Sequence, residues 1–218
     1  MSKHQRPSDS YYQNERGNLI PYIPRQGSKI LDIGCGEGAF ALMLKRECGY
    51  TEAWGMEFDD KAAEVASTRL DHVIHGDVVK TVENLPDGYF DLICMNDILE
   101  HLVWPEELLK RLRGKLSPAG YIFCSIPNIR QFRILWNLIQ YQDFEYTESG
   151  ILDRTHLRFF TRRTILSMLD RAGYETVSIV GCCGTTRSWK FKILNALTLW
   201  KSDDMQHSHF YIQAKPVH

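Results

Sequence analysis

The sequence predicts an α/β fold, a mostly parallel sheet with helices on both faces. From about residue 28 onward, short β-branched apolar runs ending in Gly, Asp or Asn alternate with longer stretches whose apolar residues recur at helical spacing. A glycine-rich loop joins the first such run to the first helical stretch, as a sharp strand-to-helix turn requires. At 218 residues the chain has room for one well-buried core, and a single domain over 1–218 is expected.

The first strand is Lys29-Ile30-Leu31-Asp32-Ile33, and the helix after its glycine loop places Phe40, Met43, Leu44 and Cys48 on one face. The second strand spans roughly Ala53 to Phe58, with Asp59-Asp60 capping a helix that continues to about Leu70. The third runs from His72 to His75 and closes at Gly76-Asp77; the fourth, Phe90 to Met95, stops at Asn96-Asp97. Pro105 suits the first position of the next helix, with Glu106-Glu107 in its first turn and Arg111, Arg113 and Lys115 near its end. Ser117-Pro118-Ala119-Gly120 breaks that helix and leads into a fifth strand, Tyr121 to Ile126. A helix from Arg162 to Ala172, stopped by Gly173, precedes a sixth strand at Thr176 to Gly181, and the last strand lies near His209 to Ala214. Three segments stand outside this alternation: 1–27, 127–160 and 183–207.

Composition narrows the function classes. A formal charge of -1 provides no global attraction toward nucleic acid, and no nucleic-acid partner is expected. The N-terminus has no apolar secretory core and no stretch of eighteen apolar residues occurs, so a cytoplasmic protein is expected. The six cysteines show no C-x-x-C spacing and read as reduced thiols, with neither a disulfide nor a metal site.

The chemistry concentrates at strand ends. In Asp32-Ile33-Gly34-Cys35-Gly36-Glu37-Gly38, three alternate glycines let a ligand lie against bare main chain beside the positive end of a helix. Twenty-three residues after Gly34, Glu57 ends the second strand, placed to accept ribose hydroxyls, with Phe58 beside it. Twenty residues later Asp77 ends the third strand, where a carboxylate can accept from an adenine amino group. Gly34-x-Gly36-x-x-Ala39 also satisfies a dinucleotide fingerprint. Against a nicotinamide cofactor, Asp32 lies inside a strand such folds keep apolar; a sulfonium cofactor with an amino-acid tail gives that carboxylate a role.

Ile30-Leu31-Asp32-Ile33-Gly34-Cys35-Gly36-Glu37-Gly38, with Glu57, Gly76-Asp77, Phe90-Asp91-Leu92-Ile93 and Asn96-Asp97-Ile98-Leu99-Glu100-His101, resembles class I S-adenosylmethionine-dependent methyltransferases. The resemblance covers about residues 11–180. It implies a Rossmann-like seven-stranded sheet, order 3-2-1-4-5-7-6, with the last strand antiparallel. It places Gly34, Cys35, Gly36 and Gly38 around the methionine portion of the cofactor, Glu57 at the ribose, Asp77 with Val78 at the adenine, and Asn96 bordering the methionine moiety. Tyr11, Tyr12 and Arg16 look like residues that relatives fold over the cofactor, Arg16 pairing with its carboxylate.

Methyl transfer to a hydroxyl is an in-line displacement in which alignment dominates, but the hydroxyl proton must also leave. Histidine near its ordinary pKa suits that work. His101 follows the fourth strand, and His156 lies in Asp153-Arg154-Thr155-His156-Leu157-Arg158-Phe159-Phe160 with Asp153 close enough to orient it; either can be the base. His207 and His209 share a strand face and read as structural. The stretch from Ser125-Ile126-Pro127-Asn128 to Thr161 is similar to methyltransferases associated with bacterial surface-polysaccharide biosynthesis, which implies a sugar or glycan acceptor. A quinone or other small aromatic acceptor, and a non-catalytic cofactor-binding scaffold, are the competing expectations.

The two later segments carry apolar faces. Phe132, Leu135, Trp136 and Ile139 form one helical face, as a lid or as core. Trp189, Ile193, Leu197 and Trp200 form another, accompanied by Arg187, Lys190, Lys192 and Lys201 and by no acid. A peripheral membrane contact, a homodimer contact through 187–201, or a cover over the substrate site are its possible roles.

Overall fold

Alternating β-branched runs and amphipathic stretches resolve into one seven-stranded sheet in the computed structural model, which describes residues 16–25, 27–184 and 188–217. The strands are β1 (Lys29–Ile33), β2 (Glu52–Glu57), β3 (His72–His75), β4 (Phe90–Asn96), β5 (Leu116–Pro127), β6 (Tyr174–Cys182) and β7 (His209–Pro216). Their order is β3-β2-β1-β4-β5-β7-β6, as expected. β1 pairs in parallel with β2 and β4, β2 pairs in parallel with β3, and β7 runs antiparallel to β6. The helices are α1 (Ala39–Cys48), α2 (Asp60–Ser67), α3 (Val78–Thr81), α4 (Pro105–Arg113), α5 (Phe132–Tyr141), α6 (Arg162–Arg171) and α7 (Trp189–Leu197).

Contacts group the chain into two units: the residues up to Asn96 with Lys110–Phe123, and Asp97–Leu109 with Cys124 onward. In the first, Ile30 and Leu31 of β1 and Leu92 and Ile93 of β4 are fully buried, as strands covered on both faces demand. Asp91 ties the start of β1 down, its Oδ2 accepting from the Ser28 and Lys29 amides at 2.7 and 3.1 Å. In the second, Phe132 of α5, Phe191 of α7 and Met205 form a buried cluster, joined by partly buried Leu135, Trp136 and Leu194.

Several elements depart from expectation for identifiable reasons. β5 begins at Leu116 and includes Ser117 to Gly120, which look like a breaker in sequence. A Cβ on Gly120 would sit 2.7 Å from the Phe90 carbonyl, so this glycine admits close backbone approach within the sheet. The predicted α5 face is only half realised: Phe132 is buried, whereas Ile139, farther along the same stripe, is 79% exposed. The stripe on α7 points outward altogether, and the side chains it buries are Phe191 and Asn195. His207 precedes β7 rather than sharing its face with His209; its ring packs where a side chain on Gly181 would otherwise lie. Among the described residues, no helix is long and apolar enough to cross a membrane.

Candidate active site

The glycine loop is built by backbone conformation. Gly34, Gly36 and Gly38 adopt φ of 73°, 55° and 80°, left-handed values that an L side chain resists. At Gly38 a Cβ would also lie 2.9 Å from Leu70 Cγ. The amides of Gly34 and Cys35 both donate to the Met56 carbonyl, at 2.8 and 3.1 Å, folding the loop back onto β2. Glu57, nearly buried, continues the stitch. Its Oε2 accepts from the Gly36 amide at 2.8 Å, and its Oε1 accepts from the Phe58 and Asp59 amides, each at 2.8 Å. A carboxylate offers about four acceptor sites, so these three bonds leave room for a ligand hydroxyl.

Asp32, 3% exposed at the end of β1, has its carboxyl pushed up to about 7. Burial is the main cause; Arg16 opposes it and Glu57 adds to it. Asn96, at the end of β4, is buried with neither side-chain polar atom hydrogen-bonded among the described residues. An amide so placed is costly unless something else meets it. Asp77 caps α3, its Oδ1 accepting from the Val79 amide at 2.9 Å, while Val78 is half-buried and Phe58 stands exposed. Cys35 is a buried thiol pushed well above its usual pKa by burial, which keeps it neutral. All these residues belong to the first unit. Tyr11 and Tyr12 lie outside the described residues.

In the second unit three donors converge. Glu100, 1% exposed, has Oε1 4.0 Å from His156 Nε2, and the rings of His101 and His156 meet edge to face at 4.7 Å between centroids. One donor atom from each of the three lies within 4.8 Å of the others, so the group can hold a shared proton or a cation. The outer nitrogens fix the tautomers. His156 Nδ1 faces the Ile151 carbonyl at 3.0 Å and must carry the hydrogen, because a carbonyl only accepts. Thr155 gives its single hydroxyl hydrogen to Asp153 Oδ1 at 2.6 Å, and therefore accepts from His101 Nδ1 at 3.1 Å. In its neutral form His101 thus keeps Nε2 as a lone pair. Asp153 orients His101 through Thr155, a correction to the expectation that it orients His156. The His101 pKa is lowered, first by burial and then by His156, so the ring is neutral at pH 7.

A family model described as a methyltransferase domain matches residues 3–179, most of the chain. The chain belongs to that family. Among curated relatives of this chain, a ubiquinone biosynthesis O-methyltransferase of Vibrio atlanticus is 25% identical over 163 residues, 71% of this chain and 66% of the relative. One of Pseudomonas aeruginosa is 28% identical over 180 residues, covering 78% of this chain and 74% of the relative. The matched stretch thus spans about two thirds to three quarters of these relatives' length. A crystal structure of a SAM-dependent methyltransferase from Archaeoglobus fulgidus superposes with a TM-score of 0.69 at 22% identity, covering 95% of this chain and 94% of that one.

The first-unit residues fit S-adenosylmethionine. The unmet Asn96 amide and the glycine loop held open by left-handed φ both call for a polar ligand against bare backbone. Sequence reasoning passed over Glu100 as a functional group although it stands beside His101; a carboxylate next to histidine in an otherwise apolar turn was the available signal. It also passed over Asn128, fully buried, whose amide donates to the Asp204 and His207 carbonyls at 2.9 and 3.0 Å. Nothing local marks that residue.

Proposed function

We propose that this methyltransferase carries the methyl group of S-adenosylmethionine to a hydroxyl oxygen, and that His101 takes the hydroxyl proton. The observation that carries the reading is the His101 imidazole, whose Nδ1 hydrogen is committed to Thr155 so that the Nε2 lone pair remains available for a proton. Asp32, Gly34, Gly36, Gly38, Glu57, Asp77, Val78 and Asn96 hold the cofactor, and its sulfonium supplies an activated methyl group when bound. Arg16 meets its carboxylate and Phe58 covers the adenine.

His101 is the base, rather than His156, because it is half-buried and reachable while His156 is closed in beside Glu100. Asp153 and Thr155 hold the ring in one tautomer. Glu100 and His156 support it from the buried side. The proton passes to His101 Nε2, a route that calls for no metal.

The acceptor is a sugar or glycan hydroxyl, supported by the likeness of Ser125 to Thr161 to enzymes of surface-polysaccharide synthesis. A phenolic or quinol hydroxyl is the second reading, favoured by the names of the Vibrio and Pseudomonas relatives. Release of S-adenosylhomocysteine, measured with nucleotide sugars, lipid-linked glycans and phenols, separates them. Turnover on a sugar acceptor, reduced about 10²-fold or more in His101→Ala and unchanged by chelator, is expected. Activity on phenols alone transfers the assignment to the second reading, and undiminished turnover in His101→Ala removes the proposed base.

A further inference from the structure

We infer that α7 and the turn after it form a docking surface for an anionic lipid bilayer. Trp189, Ile193 and Leu197 follow one another at four-residue intervals along α7 and share one face, and none of them is buried: Trp189 is 67% and Leu197 77% exposed. The chain then turns through Leu199 and Trp200, both with left-handed backbone, at φ of 52° and 64°. Glycine is the usual residue at such a helix end. Here two large apolar side chains occupy it, and both stand in water, Trp200 at 69% exposure. Apolar exposure concentrated on one short helix is unusual for a surface that meets only solvent.

The opposite side of α7 is committed to the protein. Phe191 lies in the buried cluster with Phe132 and Met205, and Lys190 Nζ sits 4.4 Å from the Trp136 ring centre. The outward stripe is therefore not needed to hold the helix in place. On α5, Ile139 and Tyr141 add further exposed apolar side chains.

Charge selects the occupant. Lys190 is turned to Trp136, which leaves Lys192 and Lys201 as the other cations between Ser188 and Ser202, a stretch with no acid; α5 carries Arg133 and no acid, and acidic residues resume only at Asp143 and Asp203. The whole chain has a formal charge of -1, so this is a local excess of positive charge. Aliphatic side chains bracketed by tryptophans, with lysines alongside, match the layered chemistry of a bilayer surface: acyl chains, carbonyl zone and anionic headgroups. A protein face of opposite charge would satisfy the lysines but leaves the tryptophans at both ends of the stripe unexplained.

Flotation of the full chain with phosphatidylglycerol–phosphatidylcholine vesicles, against pure phosphatidylcholine vesicles, tests the inference. Co-flotation with the anionic vesicles is expected, falling about tenfold or more in Trp189→Ser/Trp200→Ser and several-fold in Lys192→Glu/Lys201→Glu. Calorimetric binding of S-adenosylhomocysteine, equal in wild type and variants, shows that the variants are folded; if even the wild type fails to bind that nucleoside, circular dichroism provides the same control. The inference fails if the wild type does not float with anionic vesicles, if the variants float as well as the wild type, or if the stripe instead holds a dimer that those substitutions dissociate.

Discussion

Asp32 shows how a single buried carboxyl couples stability to pH. Its pKa of about 7 lies above the 3.8 of an unperturbed aspartate, chiefly because burial penalises the charged form. Between these values the folded chain holds a proton that the unfolded chain has released, so stability falls as pH rises from about 4 to 7 and is level above. The rise corresponds to about 4 kcal/mol at most. Asp32→Asn removes the ionisation, and urea unfolding at pH 5 and pH 8 should show a smaller pH dependence than wild type by about 2–3 kcal/mol, the part of that span lying above pH 5. Equal pH dependence in the two proteins would mean that the carboxyl is not so burdened. His101 makes the opposite demand, since its lowered pKa keeps the lone pair available. The pH profile of kcat/KM should rise through a pKa below 6.5 and level off by neutrality. Thr155→Val breaks the link from Asp153 to His101; it should lower kcat and displace that profile while leaving KM for S-adenosylmethionine unchanged.

At the scale of elements, sequence legibility followed how local the determinants are. β1, the glycine loop and β3 are legible because β-branched residues and glycines at fixed offsets dictate them. β5 is not, since Ser117 to Gly120 carries every mark of a breaker and only the Phe90 carbonyl, 27 to 30 residues distant in sequence, reveals why glycine is needed there. The outward stripe on α7 was legible as a stripe, but its direction was set by which of two apolar faces met Phe132 and Met205. Asn128 lies in the same category, because its partners are 76 and 79 residues away. Its amide holds the Asp204 and His207 carbonyls while its Oδ1 accepts from the Arg130 amide at 3.0 Å, which joins the entry of α5 to the turn before β7. Asn128→Ala takes the side-chain partner from the His207 carbonyl and the Arg130 amide and leaves the Asp204 carbonyl with the His207 amide alone, and it should cost about 1–3 kcal/mol, read as a lower urea midpoint. A midpoint within error of wild type would show that water replaces the side chain at no loss.

For the whole molecule, the two sets of residues invoked by the proposed reaction fall in different units of the chain. The residues that fit the cofactor, from Asp32 to Asn96, all belong to one unit, and Glu100, His101, Thr155 and His156 all belong to the other. The cofactor set was legible in sequence because it is ordered along the chain, each member at the end of a successive strand. The imidazole cluster was legible only as two isolated histidines, because residues 101 and 156 meet through tertiary structure. Substitutions in the two sets should therefore fail in different assays. Glu57→Ala releases the Gly36, Phe58 and Asp59 amides together, and should weaken S-adenosylhomocysteine binding about 10²-fold or more by calorimetry. His101→Ala should bind S-adenosylhomocysteine within about twofold of wild type while losing turnover. If His101→Ala also loses the nucleoside, the two sets do not act independently, and the imidazoles must be counted among the cofactor's supports instead of as the machinery that receives the acceptor's proton.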